Sequence, residues 1–406
     1  MSKKEKKKRP VALLGLKGME EESSKLEDVD IDALIEKKIL TVESQLDQNG
    51  YIKTFDAVKD LKELKEFFST YGFVVLRDVL SDEQCKKTDE FWKSGESSGL
   101  KRDDASTWEQ YWKNQKFGHL GIIGMYPNID SKEQFNNRQN PKVHKAFASV
   151  LGTDELIVDI DRLGIMRPTK LKNGQDLESW KTMKRWVHLD CNPIFVSPFP
   201  STEGETSCGF ASIAGFSNKG TPIDFKKTLI PQGLITLTDA RKEDGGFHCI
   251  PGSNNICYDW LQHNYLKLEE NFLCTNSNVQ IPMDDQLRKY VQQIPIRKGC
   301  LLIWSSLLMH GNHPNNSERF RAVQYIRQIP NSGDHPYGPM IKNKKDLLPK
   351  DLTLTPLGSR LFGLVPWGND LRKQTEWMNV VEPWKGKQKS SEPEAVREEE
   401  EKVIYE

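Results

Sequence analysis

From Glu155 onward the chain is a succession of short β-branched and aromatic runs separated by turns and irregular segments. They are Leu156 to Met166, Lys184 to Asp190, Gly233 to Thr238, Gly246 to Ile250, Gln293 to Ile296, Cys300 to Trp304 and Ala322 to Ile329. Parallel strands need a crossover of a dozen or more residues between them, usually a helix, and this region has no regular alternation of that kind. The pattern therefore predicts an antiparallel barrel or double-sheet sandwich of jelly-roll type and excludes a doubly wound sheet. The first third reads differently. Apolar residues at helical spacing (Val58, Leu61, Leu64, Phe67, Phe68) predict a helix over Asp56 to Phe68, and Phe73 to Arg77 reads as a strand. Ser81-Asp82-Glu83-Gln84 and Ser106-Thr107-Trp108-Glu109 have the form of capping boxes, and Asn140-Pro141 opens a helix toward Leu151. A last helix is expected over Thr355 to Phe362.

With 406 residues, one large domain is expected over 31–365, its jelly roll within about 155–330, flanked by a charged tail at 1–30 and an acidic one at 386–406. Fifty-eight basic side chains balance 58 acidic ones, so no global field favours nucleic acid or an anionic membrane as a partner. Seven cysteines without a C-x-x-C pair read as reduced thiols, and no apolar run has the length of a membrane span. A cytoplasmic location is expected, with nuclear import through Lys3 to Arg9 as the second reading and neither a peroxisomal nor a secretory signal. The Gly/Ser/Thr-rich stretch 198–227 is too long for a hairpin and reads as a lid or a disordered insertion.

Against this frame, His188-Leu189-Asp190 places an imidazole and a carboxylate two residues apart, on one face of an extended strand. Two ligands do not make a metal site. A third arrives where the apolar run Leu301 to Leu308 delivers His310 to a turn built from Gly311, Asn312, His313, Pro314 and Asn315. The chain then re-enters a strand carrying Arg321. Two histidines and one carboxylate with open positions suit non-haem Fe(II), and an arginine behind them can fork onto a carboxylate. His313 competes with His310, and Arg319, on the same strand face, competes with Arg321. Trp186, Asn192, His248 and Trp304 are candidate pocket-lining residues; Arg167 reads as a surface arginine.

These motifs, in this order, resemble the phytanoyl-CoA dioxygenase family of Fe(II)/2-oxoglutarate-dependent oxygenases. The resemblance rests on Gly72 to Ser81, His188-x-Asp190, Gly245-Gly246-Phe247-His248-Cys249-Ile250-Pro251-Gly252-Ser253, and His310, Pro314-Asn315 and Arg321, and runs from about Leu61 to Pro330. It implies a double-stranded β-helix (jelly-roll, cupin-like) core, mainly β with a helical N-terminal layer. It also implies iron on His188, Asp190 and His310, with the distal carboxylate of 2-oxoglutarate on Arg321. Asn312 stands where many members carry serine and is the second contact to that co-substrate; no catalytic side chain beyond the metal ligands is implied. Dioxygen is the oxidant, ascorbate an accessory reductant, and succinate and carbon dioxide the co-products. The carboxylate of Asp190 favours hydroxylation over halogenation. The expected substrate is a small organic molecule, with an acyl-thioester or protein side chain as the alternative, and a non-catalytic jelly-roll binding protein as the reading from another class.

Overall fold

The computed structural model describes residues 30–89, 99–123, 132–184, 186–191, 229–271, 273, 278–331 and 348–367. Both expected tails and the 198–227 insertion lie outside them. Eight α-helices occur among the described residues: α1 (Ile31–Lys38), α2 (Leu61–Tyr71), α3 (Asp82–Asp89), α4 (Trp108–Asn114), α5 (Lys132–Arg138), α6 (Pro141–Leu151), α7 (Cys257–Glu270) and α8 (Pro356–Leu361). The strands are β1 (Phe73–Leu76), β2 (Ile122–Ile123), β3 (Leu156–Val158), β4 (Leu163–Met166), β5 (His188–Leu189), β6 (Pro231–Thr236) and β7 (Gly246–Cys249). They continue with β8 (Val279–Gln280), β9 (Gln292–Gln293), β10 (Leu301–Ser305), β11 (His310–His313), β12 (Arg321–Tyr325) and β13 (Gln328–Pro330).

All ladders between these strands are antiparallel. A large sheet runs in the order β1-β10-β6-β12-β4-β2, a smaller one in the order β8-β5-β11-β7-β9, and β13 pairs with β3. Two sheets of non-consecutive strands with helices packed on the large one make the expected jelly-roll, double-stranded β-helix core with its helical layer. The large sheet also takes in β1 and β2, from before the 155–330 range expected for the jelly roll.

Strands β1, β6 and β10 are buried along their whole length, which requires cover on both faces. On one side α2 supplies Leu64 and Phe67; the Phe67 ring lies 5.2 Å from Phe55 and 5.6 Å from Phe73, centroid to centroid. Burying each such aromatic side chain stabilises the fold by about 1.5–3 kcal/mol. The other side of the sheet faces a cavity.

Local chemistry accounts for the boundaries that differ from expectation. The helix expected from Asp56 begins only at Leu61, because the Asp56 carboxylate accepts hydrogen bonds from the Val58 and Lys59 amides and closes a turn instead. The box at Ser81 forms in both directions: the Gln84 amide donates to Ser81 Oγ, and the Ser81 amide donates to Gln84 Oε1. The box at Ser106 does not form. Asp104 caps that turn, accepting from the Ser106 amide at 3.1 Å. The strand expected over Leu156 to Met166 breaks into β3 and β4, since Asp159 and Asp161 each bond the backbone amide that follows them. Asn140 and Pro141 start α6 as expected.

Candidate metal centre and its cavity

Antiparallel pairing sets the site. His310 on β11 is directly opposite His188 on β5, and Asp190 follows β5 by one residue. The His188 and His310 rings lie 4.7 Å apart between centroids. His188 Nε2 is 3.2 Å from Asp190 Oδ1, and His310 Nε2 is 3.3 Å from Asp190 Oδ2. One ligand atom from each of the three residues falls within 4.8 Å of the others, and among the described residues this is the one such cluster of three or more metal-binding side chains. The electrostatics are those of a preformed cation site. Burial works to raise the Asp190 carboxyl's pKa, but the charge and hydrogen bonds of both histidines outweigh it and hold it well below the usual carboxylate range. Burial lowers the pKa of His188 against the pull of Asp190 and so favours the neutral imidazole, the form that ligates.

Each imidazole is oriented by its surroundings. His310 Nδ1 lies 2.8 Å from the Leu308 carbonyl, an acceptor, so Nδ1 carries a proton and Nε2 is the nitrogen turned toward Asp190, where it can donate to the carboxylate or, once its own proton is lost, ligate. Trp186 stacks on His188, with centroids 4.1 Å apart and planes at 12°. The carboxylate is held from the opposite sheet: Gln232 on β6 donates from Nε2 to Asp190 Oδ2 at 2.7 Å.

A cavity of about 100 Å³ opens over these groups. Trp186, Phe247, Trp304 and Asn312 line it near the histidines. At its other end are Tyr325, Arg162 and Arg327. Arg162 Nε lies 3.1 Å from Asp161, and Arg327 is paired with Asp159 at 2.5 Å.

Arg321 on β12 is almost fully buried, with Nε lacking a hydrogen-bond partner. Burial lowers its pKa, a hydrogen bond with Tyr325 opposes this, and no carboxylate pairs with it among the described residues. Its guanidinium lies against the backbone of β7: a Cβ on Gly246, at φ +104°, would come within 2.9 Å of Arg321 Nε. The second glycine of the Gly245 to Ser253 motif therefore makes room for this arginine, while the first lies against the backbone of His313 to Asn315. Asn312 reaches the same network, its amide 3.4 Å from the Tyr325 hydroxyl.

The competing candidates sit elsewhere. Arg319 is half-exposed in ion pairs with Glu243 and Asp244, and His313 is at the outer end of β11 with its ring near the Pro314 carbonyl. His248 does not line the cavity. It projects from the opposite face of β7 to Phe247, and its Nε2 lies 3.0 Å from the Trp186 carbonyl, with burial holding its pKa down at about 3. Asn192 lies outside the described residues. Arg167 is buried, not on the surface, because its guanidinium stacks on Trp180 at 4.4 Å and lies 5.5 Å from Trp112. Sequence reading missed Gln232, Tyr325 and the two arginine–aspartate pairs. Tyr325 was within reach, four residues along the strand from Arg321 and so on the same face.

Residues 219–323 match the family model for phytanoyl-CoA dioxygenase (PhyH), a span that holds His310, Arg321 and the Gly245 to Ser253 motif but begins after Asp190. A Dictyostelium discoideum protein named "Putative phytanoyl-CoA dioxygenase" is 28% identical over 367 residues, 81% of this chain and the whole of that one. The Ava biosynthesis cluster protein O of Aspergillus versicolor is 22% identical, covering 66% of this chain and 77% of its own. Among solved structures, HygX from Streptomyces hygroscopicus, with nickel and 2-oxoglutarate bound, covers 66% of this chain and 87% of its own at 12% identity and a TM-score of 0.41. The match to residues 219–323 and the His/Asp/His cluster support oxygenase chemistry of the non-haem iron, 2-oxoglutarate-dependent class. The similarity to the phytanoyl-CoA dioxygenase family lies in residues 219–323. No described helix is long and apolar enough to cross a membrane.

Proposed function

We propose that the protein hydroxylates a small organic molecule, with His188, Asp190 and His310 holding iron and Arg321, assisted by Asn312, taking the distal carboxylate of 2-oxoglutarate. One observation carries this reading: the His/Asp/His cluster lines a cavity, and a buried arginine with no carboxylate partner among the described residues hydrogen-bonds Tyr325, which lines the same cavity. The donor set fits a divalent metal. Two imidazole nitrogens and one carboxylate converge, and the Leu308 carbonyl, by accepting a hydrogen bond from His310 Nδ1, leaves Nε2 as the ligating nitrogen on the converging side. Iron bound there supplies dioxygen activation coupled to oxidative decarboxylation of 2-oxoglutarate.

The side chains bind, orient and exclude. Arg321 offers a fixed planar fork suited to a carboxylate, and its desolvated surroundings strengthen that pairing. Asn312 and Tyr325 orient the fork. Phe247 and Trp304, packed on each other at 5.0 Å, wall the cavity beside His310, with ring centroids 5.8 and 5.2 Å from it, and so shield that side of the metal face from bulk water. The catalytic domain is residues 31–365, since α1 at its start and α8 near its end both bury side chains.

The test is aerobic incubation with Fe(II) and 2-oxoglutarate labelled at C1, following carbon dioxide release across a metabolite panel. His188→Ala and Asp190→Ala are expected to abolish both release and Co(II) binding. Arg321→Ala is expected to weaken 2-oxoglutarate binding while metal binding survives. Full activity in either ligand variant, or equal loss of metal in Arg321→Ala, would refute the assignment.

A further inference from the structure

Gln232 touches both the metal centre and the cavity, and its two ends are not interchangeable. The Asp190 carboxylate only accepts hydrogen bonds, so the atom 2.7 Å from it is the amide nitrogen. The carbonyl end, Gln232 Oε1, is then left in the cavity wall, buried and without a hydrogen-bond partner. A buried acceptor in that position calls for a donor. Ionised 2-oxoglutarate offers none, because both carboxylates and its ketone only accept. Dioxygen offers none either.

We propose that Gln232 is a positioning residue joining metal site to substrate: Nε2 holds Asp190, while Oε1 accepts from an O–H or N–H carried by the substrate beside the carbon to be oxidised. This rests on the proposed function and narrows it. Alcohols, amines and amides satisfy Oε1. An acyl thioester, with only a carbonyl oxygen and a sulfur next to its oxidisable carbon, leaves it bare. Neighbouring chemistry is consistent with a polar guest. Trp304 is directly opposite Gln232 across the β10–β6 ladder, lines the same cavity and has its indole N–H buried without an acceptor.

Two measurements on the full chain test this, using Gln232→Leu and the closer isostere Gln232→Met, each checked by circular dichroism and thermal melting. The first is Co(II) titration followed by tryptophan fluorescence. Losing the bond to Asp190 is expected to weaken Co(II) binding by about 10- to 100-fold in both variants. The second loads the protein anaerobically with Fe(II) and 2-oxoglutarate. It records the change in the chelate's absorption on adding free alcohols and amides, each paired with its O- or N-methylated counterpart, and S-ethyl octanethioate as an acceptor-only thioester probe. Donor-bearing probes are expected to bind about 5- to 150-fold more tightly than their methylated partners, and both variants are expected to erase that preference.

The inference is overturned by unchanged Co(II) affinity in both variants, by a preference that survives them, by a response to S-ethyl octanethioate equal to that of the best alcohol, or by a panel with no donor-dependent member, as when a resident water alone satisfies Oε1. If the unsubstituted protein itself fails to bind Co(II), the proposed function falls first, which separates the two failures.

Discussion

Gly246→Ala tests whether the arginine fork is built by the glycine beneath it. The added methyl would sit 2.9 Å from Arg321 Nε and 3.3 Å from both Cζ and Nη2, with the backbone at φ +104°, where a side chain is already disfavoured. Backbone strain of that kind costs about 1–3 kcal/mol. Arg321 cannot retreat far, because it is buried in a wall shared with Tyr325 and Asn312. Turning the fork away from a carboxylate forfeits a charge-assisted hydrogen bond of about 1.5–3 kcal/mol, a loss of about 10- to 150-fold in 2-oxoglutarate affinity. Gly152→Ala is the control. It has a comparable left-handed backbone, φ +73°, but nothing within 4 Å of the added carbon, so it carries strain without the contact. Urea denaturation gives the stability change, and calorimetric titration of the Co(II)-loaded protein with 2-oxoglutarate gives the affinity. Both variants should lose stability; only Gly246→Ala should lose 2-oxoglutarate. If Gly246→Ala binds 2-oxoglutarate within twofold of the unsubstituted protein while Arg321→Ala does not, the guanidinium does not work from its place against β7.

Arg321→Lys is expected to weaken 2-oxoglutarate binding at least about tenfold with Co(II) affinity unchanged in the same titration, since an ammonium cannot reproduce the planar fork. Asp159→Ala breaks a pair in which both side chains are almost fully buried, and should cost about 3–5 kcal/mol in urea denaturation. Lys113→Ala, which removes an ion pair with Glu109 that is exposed on both sides, should leave the urea midpoint essentially unchanged. Burial holds the pKa of His144 down at about 4 against the usual 6.5, so the unfolded chain takes up that proton first as pH falls. The stability due to this group is complete above about pH 6.5 and declines by about 3 kcal/mol as pH drops to 4; His144→Gln should flatten that part of the stability–pH curve.

How far the sequence alone reached depends on how local the determining physics is. The Ser81 cap and the Asn140-Pro141 start were legible because each is decided within four residues. His188 and Asp190 could be paired by strand period, and Arg321 followed from a resemblance over an ordered set of motifs. What could not be read was pairing between distant strands. Nothing in Pro231-Gln232-Gly233 says that this glutamine faces Asp190, because the contact spans 42 residues and depends on which sheet each strand joins. The same holds for Arg167, whose burial depends on tryptophans 55 and 13 residues away in the chain that fold around it. The misplaced start of α2 is a different failure: an aspartate turn competed with helix pattern and won.

The division of the site between sheets has a mechanical consequence. The two histidines belong to the small sheet, whereas Gln232, Trp304, Arg321 and Tyr325 belong to the large one. A metal and a co-substrate held as proposed would therefore be gripped from opposite walls, and the distance between grips is set by how the sheets pack. Two polar contacts cross that gap directly, Gln232 to Asp190 and Asn312 to Tyr325. Each joins a residue of one sheet to a residue of the other, or to the one that follows its strand. Such contacts are worth little individually in water, but in a dry cavity an unmade one is costly, so they favour one spacing over its neighbours. Asn312, on this view, does more than stand in for a serine: its amide is long enough to reach across to Tyr325, and so ties the strand of His310 to the strand of Arg321.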